Sequence, residues 1–182
     1  MAIVYIVRHG RAAASFTDDL DPGLDDLGRQ QALAACQTLA ELTPLELRSS
    51  PLKRALETGA PLAAMLDQPL VPVHRFAEIP SPGLSLEARG PWLRQVMQGN
   101  WHEQSDALTR WYEDLVNCLK AIKVDTAIFS HFVAINAAVG AAEQSDRVLM
   151  FRPDNGSITR IEVDNGSLSL IERGAEASTH IN

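Results

Sequence analysis

With 182 residues, 46% of them hydrophobic, the chain is long enough for one ordinary domain with a sizeable core, and a second independent domain is not expected. Its net charge is −7 and its longest basic cluster is Lys53-Arg54. That leaves no electrostatic support for a nucleic-acid surface or an anionic membrane face, and it confines any anion site to a local pocket. No stretch reaches the roughly 18 consecutive apolar residues of a membrane span. The first residues lack the basic region and cleavage site of a signal peptide, so the mature chain is expected to begin at Met1 or Ala2. Cys36 and Cys118 sit inside helical patterns without metal-ligand or Cys-x-x-Cys spacing. They read as buried free thiols, which fits a reducing cytoplasm.

The chain opens on a β-branched apolar run, residues 2–7, that stops at Arg8-His9-Gly10. An unbroken run of this kind predicts a strand buried on both faces of an α/β sheet, and ligands of such sheets sit at the strands' carboxyl ends. A cation beside an imidazole at that edge suits an anionic substrate. Arg grips phosphate oxygens through paired hydrogen bonds, and His can act as nucleophile. Residues 11–24, Asp-rich and carrying Pro22-Gly23, read as an irregular loop over the strand end. Asp25 then caps a helix with Ala32, Ala35, Leu39 and Leu42 at helical spacing, stopped by Pro44. A short strand over 45–48 follows. Ser50 and Pro51 read as the cap and first position of a second helix, which places Arg54 within about one turn of an anion-attracting N-terminus. Gly59 and Pro61 should kink or split that helix, and Pro72 should weaken a strand over 70–76.

Residues 77–104 hold Pro80, Pro82, Gly83, Gly90, Pro91 and Gly99 together with Trp92 and Trp101, and read as a lid-like insertion with at most a short helix over 91–98. From Ser105, the residues Leu108, Trp111, Leu115, Leu119 and Ile122 predict an amphipathic helix, with Trp111 as a core residue. A strand over 124–129 ends in Ser130-His131, repeating the strand-end geometry of His9, and a small-residue helix over 133–140 starts beside it. Segments 157–163 and 167–171 flank Asp164-Asn165-Gly166 and predict a final antiparallel hairpin. The order predicts a three-layer α/β/α sandwich with a mainly parallel mixed sheet and a C-terminal β-hairpin, in one domain spanning 1–182.

Four ordered motifs resemble the histidine phosphatase superfamily, the phosphoglycerate-mutase-like family. They are Arg8-His9-Gly10, Ser50-Pro51-Leu52-Lys53-Arg54-Ala55 with Thr58, Ala77-Glu78-Ile79 with Gly83 beyond, and Ser130-His131. Leu24-Asp25, Gly28 and Gln31-Ala32 match the family's first helix, and Asn155-Gly156-Ser157-Ile158 its late strand, so the resemblance spans nearly the whole chain. It implies a cofactor-independent, metal-free phosphomonoesterase acting on a small metabolite. His9 would form a phosphohistidine that water hydrolyses, while Arg8, Arg54 and a protonated His131 surround the phosphoryl oxygens. Glu78 matches the family's proton donor, with Glu87 and Glu103 as the alternatives in the same insertion.

The chain departs from the pattern after the triplet. Arg11 is followed by Ala12-Ala13-Ala14 where acidic or amide, Ser and Asn residues are usual, and Phe132 replaces a small residue after the second His. Three alanines offer no side-chain donors for a second anionic group, which favours hydrolysis over phosphoglycerate-mutase transfer. Arg11 is the expected substrate-selecting residue, together with the 12–24 loop. A protein-phosphohistidine phosphatase and a non-catalytic phosphate-binding regulator remain alternatives; His74, His102 and His180 join no motif. The oligomeric state is not legible.

Overall fold

The structure, a computed structural model, describes residues 1–15, 18–42 and 44–178; His180 lies outside them. The described strands form a six-stranded sheet in the order β3-β2-β4-β1-β5-β6. Strands β1 (Ala2–Arg8), β2 (Glu46–Ser49), β3 (Val71–Pro72) and β4 (Thr126–Ser130) run parallel. Strand β5 (Ile158–Asp164) pairs antiparallel with β1, and β6 (Ser167–Glu172) with β5. The helices are α1 (Asp26–Ala40), α2 (Lys53–Leu66), α3 (Leu86–Met97), α4 (Asp106–Lys120) and α5 (Phe132–Ala142). This is the mixed α/β sandwich with a terminal hairpin that the chain order predicts.

Alternation along β1 explains why its sequence is apolar throughout. Val4 and Ile6 join Leu115, Ile128, Val133 and Ile135 in the core beneath α4 and α5. Tyr5 and Val7 face the other way and pack with Ala35, Leu39, Ala55 and Leu62 of α1 and α2. Both faces are therefore covered, and each large apolar side chain buried there contributes about 1.5–3 kcal/mol. Asp25 caps α1, its side chain accepting from Gly28 N, and Ser105 caps α4 in the same way. Trp111 is half-buried against the α4 side of the core. Asn165 and Gly166 both have positive φ, 48° and 78°, which makes the hairpin turn the primed type that matches strand twist. Cys36 is a buried free thiol and Cys118 a half-buried one. Among the described residues no helix is long and apolar enough to cross a membrane.

Three elements differ from the sequence-based expectation. Helix α2 starts at Lys53, two residues after Pro51, with Leu52 at the cap. Ser50 Oγ instead accepts from Leu52 N at 3.2 Å, and Asp21 Oδ1 accepts from Lys53 N at 2.8 Å, so the helix start is capped from a distant loop. Gly59 and Pro61 do not split it. A Cβ on Gly59 would lie 2.6 Å from Phe129 Cδ2 and 2.8 Å from Leu70 Cδ2, so this glycine serves close packing of α2 on β4. That packing outweighs the one backbone bond Pro61 cannot donate. Strand β3 is only two residues long, because the chain turns into a 3-10 helix at His74–Phe76 after Val73 N donates to Ser49 O. Helix α3 begins at Leu86 rather than near Pro91, since Ser85 caps it by accepting from Ala88 N at 3.3 Å. Strand boundaries otherwise move by one or two residues.

A Gly59→Ala substitution should lower the unfolding free energy by about 1–3 kcal/mol in a urea titration, because the rigid Phe129 ring must shift to admit the methyl group.

Candidate active site

Three parallel strands end side by side, and each hands over one part of the site. Arg8 pairs with Ser130 across β1 and β4, and Ser49 with Phe129 across β2 and β4. The next residues, His9, His131 and Ser50, therefore emerge together at the carboxyl edge. His9 N donates to Ser130 O at 3.0 Å, and the two imidazole ring centroids stand 5.2 Å apart. Ser130 Oγ donates to Phe76 O at 2.7 Å, which ties the segment carrying Glu78 to the end of β4.

His9 Nδ1 lies 2.7 Å from the Gly10 carbonyl oxygen, an acceptor only, so Nδ1 carries the hydrogen and Nε2 the lone pair. Arg54 Nε donates to that Nε2 at 3.2 Å. Burial, then the charge of Arg54 and to a smaller degree Arg8, lowers the His9 pKa to about 3. Gly10 N donates to Thr58 Oγ1 at 3.0 Å, and Thr58 Oγ1 donates to Arg54 O at 2.6 Å. A Cβ on Gly10 would meet Gly28 O at 2.2 Å, so only glycine admits this contact with α1. On the other side, Asn155 Nδ2 donates to His9 O at 2.9 Å and Arg8 Nη1 to Pro153 O at 2.8 Å.

The structure brings together Arg8, His9, Arg54, His131 and Glu78. Among the described residues, two buried polar atoms of this group have no hydrogen-bond partner, Arg8 Nε and His131 Nδ1. His131 Nε2 pairs with Ser50 Oγ at 2.7 Å. Burial, with His9, Arg54 and Arg8 nearby, holds its pKa well below the ordinary value. The expectation of a protonated His131 concerns the site with phosphate bound; without ligand, burial first and its basic neighbours next favour the neutral ring.

Glu78 sits at the start of α5. Its Oε1 accepts from Ile79 N at 3.0 Å, Val133 N at 3.2 Å and Ala134 N at 3.3 Å, while Oε2 accepts from Val133 N alone at 3.2 Å. Burial raises its pKa, against the lowering pull of these N–H groups and of Arg54. Glu87 and Glu103 are exposed, and Glu103 Oε2 is occupied with Asn100 N at 2.9 Å.

These groups open into a cleft of about 580 Å³ that Arg8, His9, Arg54 and Glu78 line. Ala12, Ala13 and Ala14 form part of its wall, with Leu93 and Met97 of α3 and Phe132, whose ring lies 5.2 Å from Arg8 Cζ. Arg11 also lines the cleft, but its Nε is paired with Asp25 Oδ2 at 2.5 Å. Sequence reasoning missed three participants. Asp21 stands 3.9 Å from Arg54 Nη1, Ser50 partners His131, and Arg152 lines the cleft. None belongs to a periodic pattern, and only Ser50 lay inside a quoted motif. His74 is exposed, and His102 pairs with Asp146 at the surface. Among the described residues no three His, Cys, Asp or Glu side chains converge as metal ligands.

A model of the histidine phosphatase superfamily, branch 1, matches residues 4–175. A glucosyl-3-phosphoglycerate phosphatase of Mycolicibacterium vanbaalenii is 42% identical over 100 residues, which cover 53% of this chain and 37% of that protein. Among solved structures, the mycobacterial glucosyl-3-phosphoglycerate phosphatase complexed with VO3 superposes with a TM-score of 0.77 at 19% identity, over 97% of this chain and all (100%) of that one. A phosphoserine phosphatase from Entamoeba histolytica, in complex with 3-phosphoglyceric acid, has a TM-score of 0.73 at 20% identity, over 96% of this chain and 98% of that one. These two share the fold. With the family model covering nearly the whole chain and the strand-end histidines in place, the protein belongs to the histidine phosphatase superfamily.

Proposed function

We propose that the protein is a phosphomonoesterase that hydrolyses a small phosphorylated metabolite through a phosphohistidine on His9, without a metal ion. The observation that carries this reading is the state of His9. Its Nδ1–H is committed to Gly10 O, which leaves the Nε2 lone pair facing the Arg54 guanidinium, with Arg8 near enough to act on the same ring and, with Arg54, to attract a phosphoryl dianion. As the ester binds, Arg54 shifts its N–H groups from Nε2 to the phosphoryl oxygens, and Arg8 Nε and His131 Nδ1 gain acceptors. The dianion also supplies the counter-charge that favours a proton on His131.

His9 Nε2 then attacks phosphorus and the ester P–O bond breaks. The leaving alkoxide takes a proton from Glu78, whose raised pKa favours the acid form; Oε2, with one N–H partner against three on Oε1, is the oxygen free to hold it. Water next attacks the phosphohistidine, the Glu78 carboxylate accepts its proton, and inorganic phosphate leaves with Nε2 restored. Arg8 and Arg54 supply the positive charge that a metal would otherwise bring. Residues 77–104, through Leu93 and Met97, act as the lid over this cleft within a single domain. The relatives' names point to small phosphorylated metabolites, glucosyl-3-phosphoglycerate and phosphoserine, as their substrates, which supports the same class here. Ala12, Ala13 and Ala14 in the cleft wall favour hydrolysis over mutase transfer, since they cannot hold a second anionic group. The free thiols Cys36 and Cys118 support a cytoplasmic setting.

Hydrolysis of p-nitrophenyl phosphate in EDTA tests the reading. Wild type should turn over, His9→Ala should not, and Arg54→Ala should lose about 10²-fold or more; full activity in His9→Ala would overturn the mechanism. Glu78→Gln should slow alkyl phosphates much more than the aryl ester, whose leaving group needs no proton. An equal effect on both esters would remove Glu78 from the acid role. The pH profile follows from the two shifts. His9 stays neutral above about pH 3, so its protonation should add no acid limb between pH 5 and 7. Turnover of alkyl esters should instead fall as pH rises through the Glu78 pKa, and that limb should vanish in Glu78→Gln. Imidazole NMR showing His9 protonating near pH 6.5 in the free protein would contradict this.

A further inference from the structure

Resting on the phosphatase reading, we infer that Arg152 selects the substrate by binding a carboxylate carried on the phosphomonoester. Every other arginine of the cleft is engaged. Arg8 donates to Pro153 O and lies over Phe132, Arg54 meets His9 and Asp21, and Arg11 is paired with Asp25. Arg152 lines the same cleft and is exposed. Its guanidinium makes no hydrogen bond or ion pair with any described residue; its bonds are made by the backbone, whose N–H donates to Glu176 Oε1 at 3.3 Å.

The backbone that carries it is fixed. Ala177 N donates to Arg152 O at 2.9 Å and Asp154 N to Ala175 O at 2.8 Å, and Pro153 bridges to Glu176. The held backbone fixes where the side chain starts, and the planar guanidinium offers two parallel N–H groups to a carboxylate once the side chain is ordered by it. Ala12, Ala13 and Ala14 have no side-chain donors and Leu93, Met97 and Phe132 are apolar, while Ser15 Oγ donates to Asp18 and Asn155 Nδ2 to His9 O, so Arg152 is the charged donor of the wall best placed for this task. One guanidinium balances a monoanion but not a second phosphoryl dianion, and Asp19 on the same wall opposes further negative charge, which favours a carboxylate.

The test compares 3-phosphoglycerate with glycerol 3-phosphate, which replaces the carboxylate by a neutral hydroxymethyl group. Wild type should favour the carboxylate by about tenfold or more in kcat/KM, mainly through KM. Arg152→Met should bring the ratio close to one, while Arg152→Lys should retain part of it, having charge without the two-pronged geometry. A ratio unmoved in Arg152→Met, or an equal loss on both esters, would overturn the assignment. So would an Arg152-dependent preference for a bisphosphate over 3-phosphoglycerate. Calorimetric binding of the same two esters to His9→Ala and to His9→Ala/Arg152→Met reads the ratio without turnover. Loss of the ratio there supports the receptor even if wild type hydrolyses neither ester, so failure of the phosphatase reading and failure of this one separate.

Discussion

The approach of Gly10 to two helices at once is the constraint on which the site depends. Its N–H reaches Thr58 Oγ1 on α2, its Cα lies against the Gly28 carbonyl of α1, and its own carbonyl receives the His9 Nδ1–H. Thr58 in turn donates to the Arg54 carbonyl. One peptide thus sets the imidazole tautomer, the depth of α2 and the origin of the Arg54 side chain. A methyl group at residue 10 would collide with backbone, which has no rotamer to yield.

Around that peptide the sheet concentrates positive charge where solvent is scarce. Arg8 and the two imidazoles stand at the ends of adjacent parallel strands, with Arg54 brought in from the first turn of α2; burial first lowers both histidine pKa values, followed by Arg54 for His9 and by His9 and then the arginines for His131. The carboxylates that offset this charge come from outside the strands. Glu78 is held by N–H groups at the start of α5, Asp21 is delivered by the loop after β1, and Asp154 acts on Arg8 from the segment before β5. The sheet therefore fixes the basic groups rigidly, while longer connections supply the acidic ones.

What was legible in the sequence follows the same division. β1 and the hairpin were readable because their signals are local: an unbroken β-branched run and an Asn-Gly pair in left-handed backbone. The strand-end histidines, Arg54 and Glu78 were readable as motifs; the structure brings His9, Arg54 and Glu78 into one cleft and buries His131 beside His9. Gly59 and Pro61 misled, since their local meaning as helix breakers yielded to the packing of α2 against Phe129, which no window of sequence contains. Asp21 capping Lys53 across 32 positions and Arg152 reaching the cleft from 144 positions beyond Arg8 depend on long-range pairing alone. They carry no periodic signal by which they could have been found.

The bond from Arg54 Nε to His9 Nε2 has a consequence for the idle protein. The lone pair that would attack is capped by an N–H, so a neutral electrophile drifting into the cleft meets a masked imidazole. Only an anion strong enough to draw the guanidinium away exposes the nitrogen, and that anion is then already seated against it. Under the proposed mechanism, recruitment of the substrate and unmasking of the nucleophile would be a single event.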